Sequence, residues 1–300
     1  MQTWFRWSLV ILQISIMAQV FAIGLGATWD DATYLFRRPK LLWNSILARN
    51  VVLPFLAVVL IKLFSFHIAI AITLGVLAVT PVPPLLPKSQ LKGGGRSEYV
   101  VGLLVSQALL AIVLVPVTIE LMNWAIGSKA HFGAWQVAQM IVKAILIPLV
   151  VGMAVARFLP AVKKLAPPLL AVGTVMLIVG ALPLLVVAWK AFGELVGDGS
   201  MLALAIFILG GITAGHLLGG PRAEDRTVLA IATSWRHPGL AMAIAVANFP
   251  EQKLLVAGAV VIYLVLRMLL AIPYARWRHT TLSLPRHPAP TPMPPGFARR

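Results

Sequence analysis

Hydrophobic positions gather into about nine stretches, near residues 5–26, 41–64, 67–96, 97–124, 134–157, 166–190, 200–219, 226–248 and 252–275. A hydrocarbon core is crossed by roughly 20 apolar residues in a helix, so most of these stretches predict one crossing each. Two are interrupted. The third is split by Pro81, Pro83, Pro84 and Pro87, and the eighth around Trp235-Arg236-His237-Pro238-Gly239. Proline removes a backbone donor and clashes with the preceding turn, which frees main-chain groups that lipid cannot satisfy. Both stretches therefore predict broken helices whose freed groups face protein, water or a ligand. The expected fold is all-α and polytopic.

Composition narrows the class. The chain is 60% hydrophobic and 11% charged, with a mean hydropathy of +0.91, which no soluble domain of this length matches. Cysteine is absent, so disulfides and thiolate metal sites are excluded. The net charge of +16 would suggest nucleic acid in a soluble protein. Here the cations sit in short loops beside apolar runs, where they set topology instead. The first run, from Trp4 to Leu25, is too long and too poor in early cations for a signal peptide and reads as a retained helix.

Placing the N-terminus outside puts Arg37, Arg38, Lys40, Lys92, Arg96, Arg157, Lys163, Lys164, Arg222, Arg226, Arg276 and the tail arginines on the inner side. Only Arg6, Lys62, Lys129, Lys190 and Lys253 fall outside. That bias predicts nine crossings of an inner membrane, with the C-terminus cytoplasmic. The segment 278–300 is rich in proline and arginine and predicts a disordered basic tail able to meet anionic lipid headgroups.

In this topology the third stretch runs inward and the eighth outward, so the two breaks form an inverted pair. Residues 1–124 and 134–277 then read as two opposed repeats within one membrane domain spanning 1–277, the first lacking a helix. Inverted-repeat carriers bind substrate where two such interrupted helices meet. Half-helix N-termini beyond the breaks favour an anionic group. Prolines that merely kink packed spans are the plain alternative, and matching positions in both repeats argue against it.

Three groups of residues resemble a divergent bacterial member of the bile acid:sodium symporter family. The first runs from Gln13-Ile14-Ser15-Ile16-Met17 and Phe21 to Gly26, through Arg37-Arg38-Pro39-Lys40, to Val52-Leu53-Pro54-Phe55-Leu56-Ala57. The second is Thr80-Pro81 with Gly102 to Pro116, and the third is Pro238-Gly239-Leu240-Ala241, Ala243-Ile244-Ala245 and Asn248-Phe249. The resemblance covers about residues 8 to 275. It implies a panel and a core that alternate access, with both crossing helices in the core, and a nine-helix form that lacks the family's first helix.

Departures from the family pattern fall at its sodium ligands. Where sodium-using members place glutamate, glutamine and asparagine before the Gly-Leu-Ala stretch, this chain has Ala232, Arg236 and His237. Where they carry a glutamine five residues before the proline of the preceding helix, it has Arg49. After the proline of the first crossing helix it has Val82-Pro83-Pro84-Leu85-Leu86-Pro87. Every acidic residue lies in a loop or near a helix end, so a sodium ion at mid-membrane would meet neutral oxygens and repelling cations. The sodium sites are expected to be lost, with no metal and no cofactor. Arg49 and Arg236 then supply fixed positive charge for a small organic anion, and the rival role for Arg236 is to cap carbonyls released by the break. His237 leaves proton coupling open.

The candidate substrate-binding set is Arg49, Asn50, Thr80, Pro81, Lys88, Ser106, Gln107, Thr233, Ser234, Arg236, His237, Pro238 and Asn248. Lys143 and Arg267, also within spans, read as packed or snorkelling groups. No nucleotide loop, metal cluster or nucleophile triad is present, and Gly93-Gly94-Gly95 reads as a turn. The expected function is secondary active transport of a small organic anion rather than catalysis, with no nucleic-acid partner. A sensor that kept the fold but lost transport, and a membrane-embedded enzyme, are the competing classes. Substrate identity and oligomeric state are not encoded in motifs of this kind.

Overall fold

The computed structural model describes residues 2–81, 83, 94–127 and 133–283, and all regular secondary structure among them is helical. In chain order the elements are α1 (Gln2–Gly26), a short α2 (Trp29–Thr33), α3 (Pro39–Ile46), α4 (Leu53–Leu63), α5 (Ile68–Val79) and α6 (Ser97–Ile126). There follow α7 (Ala134–Ile141), α8 (Ile147–Phe158), α9 (Ala166–Leu195), α10 (Ser200–Leu218), α11 (Ala223–Ser234), α12 (Pro238–Asn248) and α13 (Lys253–Ser283). Among the described residues six helical segments are long and apolar enough to cross a membrane, and the apolar stretches Val10–Gly26, within α1, and Ile68–Val79 are shorter.

Two of the long spans are continuous only through π-helical turns, Leu47–Val52 between α3 and α4 and Val142–Leu146 between α7 and α8. Each is followed within two residues by a proline, Pro54 or Pro148. A proline cannot donate to the carbonyl one turn back, and a widened π turn accommodates the missing bond. One consequence reaches the site. In a π register the residue at 54 would donate to the carbonyl of Arg49, and proline leaves that oxygen free.

The spans pack in two groups, joined where α9 lies against α13. In the first, α1 lies against α8 and α9, and the contact is backbone to backbone. A Cβ on Gly152 would stand 2.5 Å from the Phe21 carbonyl oxygen, and one on Gly24 would collide with that of Leu149. Gln19 donates across to the Gly173 carbonyl at 2.9 Å. In the second group, α10 meets α11 along Gly211, Gly215 and Gly219, which recur every fourth residue and put one bare stripe against the partner backbone.

Loop ends sort onto two faces. On one, the Gly133 amide donates to Asn248 Oδ1 at 2.8 Å, and the turn at Gly199, φ +78°, closes against Phe64. On the other, Arg38 stacks 3.9 Å from the Tyr34 ring centroid. On that face Arg96 also reaches within 4.0 Å of Asp225, and Arg278 donates to Thr227 Oγ1 and the Ala223 carbonyl. On this second face the loops before α3, before α6 and before α11 thus meet the last turns of α13.

One boundary needs correction. The tail was expected to lose structure from residue 278, yet α13 continues to Ser283. Arg278 is buried and holds that last stretch onto the first turn of α11. Residues 284–300 lie outside the described residues.

Candidate functional site

The third apolar stretch is interrupted as expected. Its first half, α5, ends at Thr80, which is extended at ψ 141°, and residues 84–93, Lys88 among them, lie outside the described residues. The eighth is interrupted too. Trp235 closes α11 in an extended conformation and His237 opens α12, with Pro238 at its first position.

These breaks meet. Arg49 and Arg236 are the two largest fully buried side chains among the described residues, and they connect three spans. Arg236 donates from Nη1 to the Thr80 carbonyl at 3.0 Å and from Nη2 to the Arg49 carbonyl at 2.7 Å. Arg49 in turn donates from Nη1 to the Ala232 carbonyl. The His237 amide donates to Thr80 Oγ1 at 3.3 Å. The acceptors are the oxygens that the breaks and Pro54 release, so each guanidinium satisfies backbone groups that lipid never could.

Tyr263 of α13 completes the arrangement and has no signal in the sequence. Its hydroxyl accepts from the Arg236 amide at 2.9 Å and donates to the Ser234 carbonyl at 2.8 Å. A single tyrosine in an apolar helix looks like packing until a broken helix is set beside it. Tyr263→Phe leaves one buried donor and one buried acceptor unmatched. We expect it to destabilise the protein by about 1–3 kcal/mol, read as a lower thermal midpoint in detergent. An unchanged midpoint would show that this hydroxyl does not hold the break.

Capping does not use up the donors. Arg49 Nε and Nη2, Arg236 Nε and His237 Nε2 are buried without a partner. His237 Nδ1 accepts from the Leu240 amide at 3.2 Å, which assigns the ring proton to Nε2. Gln107 Nε2 on α6 and Asn50 Oδ1 beside Arg49 are unpartnered as well. The unmatched atoms of the arginines and histidine are all donors. None of the acidic side chains bonds to them, and Asp225, the one that is buried, stands at the far end of α11 beside Arg96.

Other members of the candidate set are placed differently. Ser106, Thr233 and Ser234 return their hydroxyls to carbonyls of their own helices, at Leu103, Leu229 and Ile231. Asn248 stands at the opposite end of α12 from the break, where it ties the Gly133 loop. Arg267 is buried with its guanidinium 3.6 Å from the Trp235 ring centroid, and Lys143 is exposed on its π turn. Pro81 borders a small cavity with Val20, Leu104 and Leu149. A second cavity, of about 240 Å³, lies among α1, α7 and α12 and is bounded by Leu12, Ile16, Met140, Ala144, Gly239 and Ala243. Both cavities lie where the two groups of spans face each other next to a break.

Long apolar helices around two interrupted ones, with a polar centre buried where the interruptions meet, define a polytopic membrane protein. The model of the sodium bile acid symporter family matches residues 11–207, and the chain belongs to that family. Membership places it among membrane solute carriers and not among enzymes. No curated protein matches the chain. The family match ends before α11, so the second break, with Arg236 and His237, lies beyond the matched stretch.

Proposed function

We propose that this protein is a secondary transporter of a small organic anion that works by alternating access between the α1–α7–α8–α9 group and the remaining spans. One observation carries the reading: the unmatched polar atoms of Arg49, Arg236 and His237 are hydrogen-bond donors, two of these side chains are cations, and no carboxylate bonds to them. A buried, unbalanced cation is costly in a membrane interior. A carboxylate or sulfonate supplies both the charge and the acceptors that such a centre lacks.

Sodium has no evident place in this scheme. The guanidinium groups already donate to the carbonyls of Thr80, Arg49 and Ala232, the kind of oxygen that a hard cation coordinates. The fixed cations thus stand in for a coupling ion. His237, a buried neutral donor, binds the anion and does not carry a proton through the cycle. The positive-inside bias sets the N-terminus outside and the C-terminus in the cytoplasm of an inner membrane.

Counterflow in proteoliposomes tests the proposal. Vesicles loaded with an unlabelled small carboxylate are expected to accumulate the labelled one transiently, equally well in sodium and in choline buffer and with or without a proton gradient. The assay is run for each carboxylate or sulfonate that raises the thermal midpoint of the purified protein. Thermal stabilisation without counterflow for every such anion would assign the chain to the sensor class instead.

A further inference from the structure

We infer that the carrier is an obligate anion exchanger: the site cannot return across the membrane empty. The inference rests on the transport reading above and concerns the half of the cycle that moves no substrate.

The positive charge of this site is covalent. Arg49 and Arg236 hold the two breaks together through the Ala232, Thr80 and Arg49 carbonyls, so neither guanidinium can leave without opening the crossing. A site whose cation arrives from solution sheds that charge before resetting, whereas this one keeps it. Among the described residues no carboxylate bonds to it, and Arg49 Nε and Nη2 and Arg236 Nε remain unmatched.

The surface past which the site must move is mostly apolar, with the uncharged Gln13 as the polar member of the larger cavity's lining. On the side of the second break Leu12 and Ile16 of α1 and Met140 and Ala144 of the α7 span face Gly239 and Ala243. A Cβ on Gly239 would stand 2.9 Å from Ile16 Cδ1, so the fit is tight next to His237. On the side of the first break Val20, Ile145 and Leu149 face Pro81 and Leu104. In an occluded intermediate the unmatched guanidinium donors would confront hydrocarbon with water excluded, where uncompensated charge is least tolerable. A bound anion removes that penalty in both directions of travel. The loaded carrier reorients and the empty one does not, so each anion that enters requires another to leave.

The chain has no cysteine, which makes a substrate-independent test direct. Ala243→Cys puts a reporter on the wall of the larger cavity, away from the arginines and His237. Its labelling by a membrane-impermeant maleimide is followed from each face, in right-side-out and inverted vesicles, in a buffer whose only anion is a polymer too large to enter the cavity. We expect labelling from one face to be at least tenfold faster than from the other. In the same background Arg49→Gln, or Arg236→Gln if the first fails to fold, is expected to bring the two rates within about threefold. Comparable labelling from both faces in the parent would overturn exchange yet leave transport intact. One-sided labelling that survives loss of either arginine would also overturn it. If that labelling is also indifferent to every anion in the stabilising set, the transport reading falls with it.

Discussion

Arg236→Gln is expected to lower anion counterflow by about 100-fold or more, equivalent to ~2.7 kcal/mol of lost interaction. The residue has two roles that the substitution separates. Its Nη1 and Nη2 donors hold the Thr80 and Arg49 carbonyls, and its charge draws the anion. A glutamine amide keeps up to two neutral donors, so part of the capping survives. The charge does not, and a hydrogen bond to an ionised acceptor contributes about 1.5–3 kcal/mol, against about 1 for a neutral pair. Arg236→Lys provides the contrast. Lysine keeps the charge but lacks the planar fork that spans two carbonyls. If charge governs transport, the lysine variant retains more counterflow than the glutamine variant while being less stable. If capping is the whole role, counterflow follows the thermal midpoints of the two variants. Undiminished counterflow by folded Arg236→Gln would remove Arg236 from the anion site.

The same residue shows what could be read before the fold was known. The breaks were legible because proline acts locally, through its own missing N–H, and so were the two arginines, because charge inside an apolar run demands a reason. What the arginines bond to was not legible. The oxygens released at Ala232 and Arg49 lie 183 and 187 positions from the side chains that meet them, and no local pattern encodes such a pairing. Hydroxyls are harder to read for the opposite reason. Ser106, Thr233 and Ser234 are placed well for a site, but a serine or threonine within a helix readily bonds the carbonyl three or four residues back, and all three do so. The helical stretch 278–283 was missed because composition marks the prolines that follow it and not the single buried arginine that anchors it.

Gly215→Val is expected to have the largest structural effect, destabilising the protein by about 3 kcal/mol or more, with most of the chain lost from the folded fraction in mild detergent. A Cβ at this position would stand 2.5 Å from both Ala230 Cα and the Leu229 carbonyl oxygen. Those are backbone atoms, so no rotamer change relieves the clash. The two helices must separate along the stripe that Gly211, Gly215 and Gly219 keep bare. That separation also reaches the site. Helix α11 ends at Ser234, one residue before the break, and a Cβ on Gly211 would approach the Ser234 Cα to 3.1 Å. Moving α11 outward draws the Ala232 carbonyl away from Arg49 and the Ser234 carbonyl away from Tyr263, although none of the four residues is altered. Any Gly215→Val protein that does fold should therefore lose anion-dependent thermal stabilisation as well as stability. Gly26→Val is the control, because a Cβ there meets nothing within 4 Å, and it is expected to retain both. A Gly215→Val protein as stable as the parent would mean that α10 and α11 do not pack through this stripe, and the placement of the second break would lose its support.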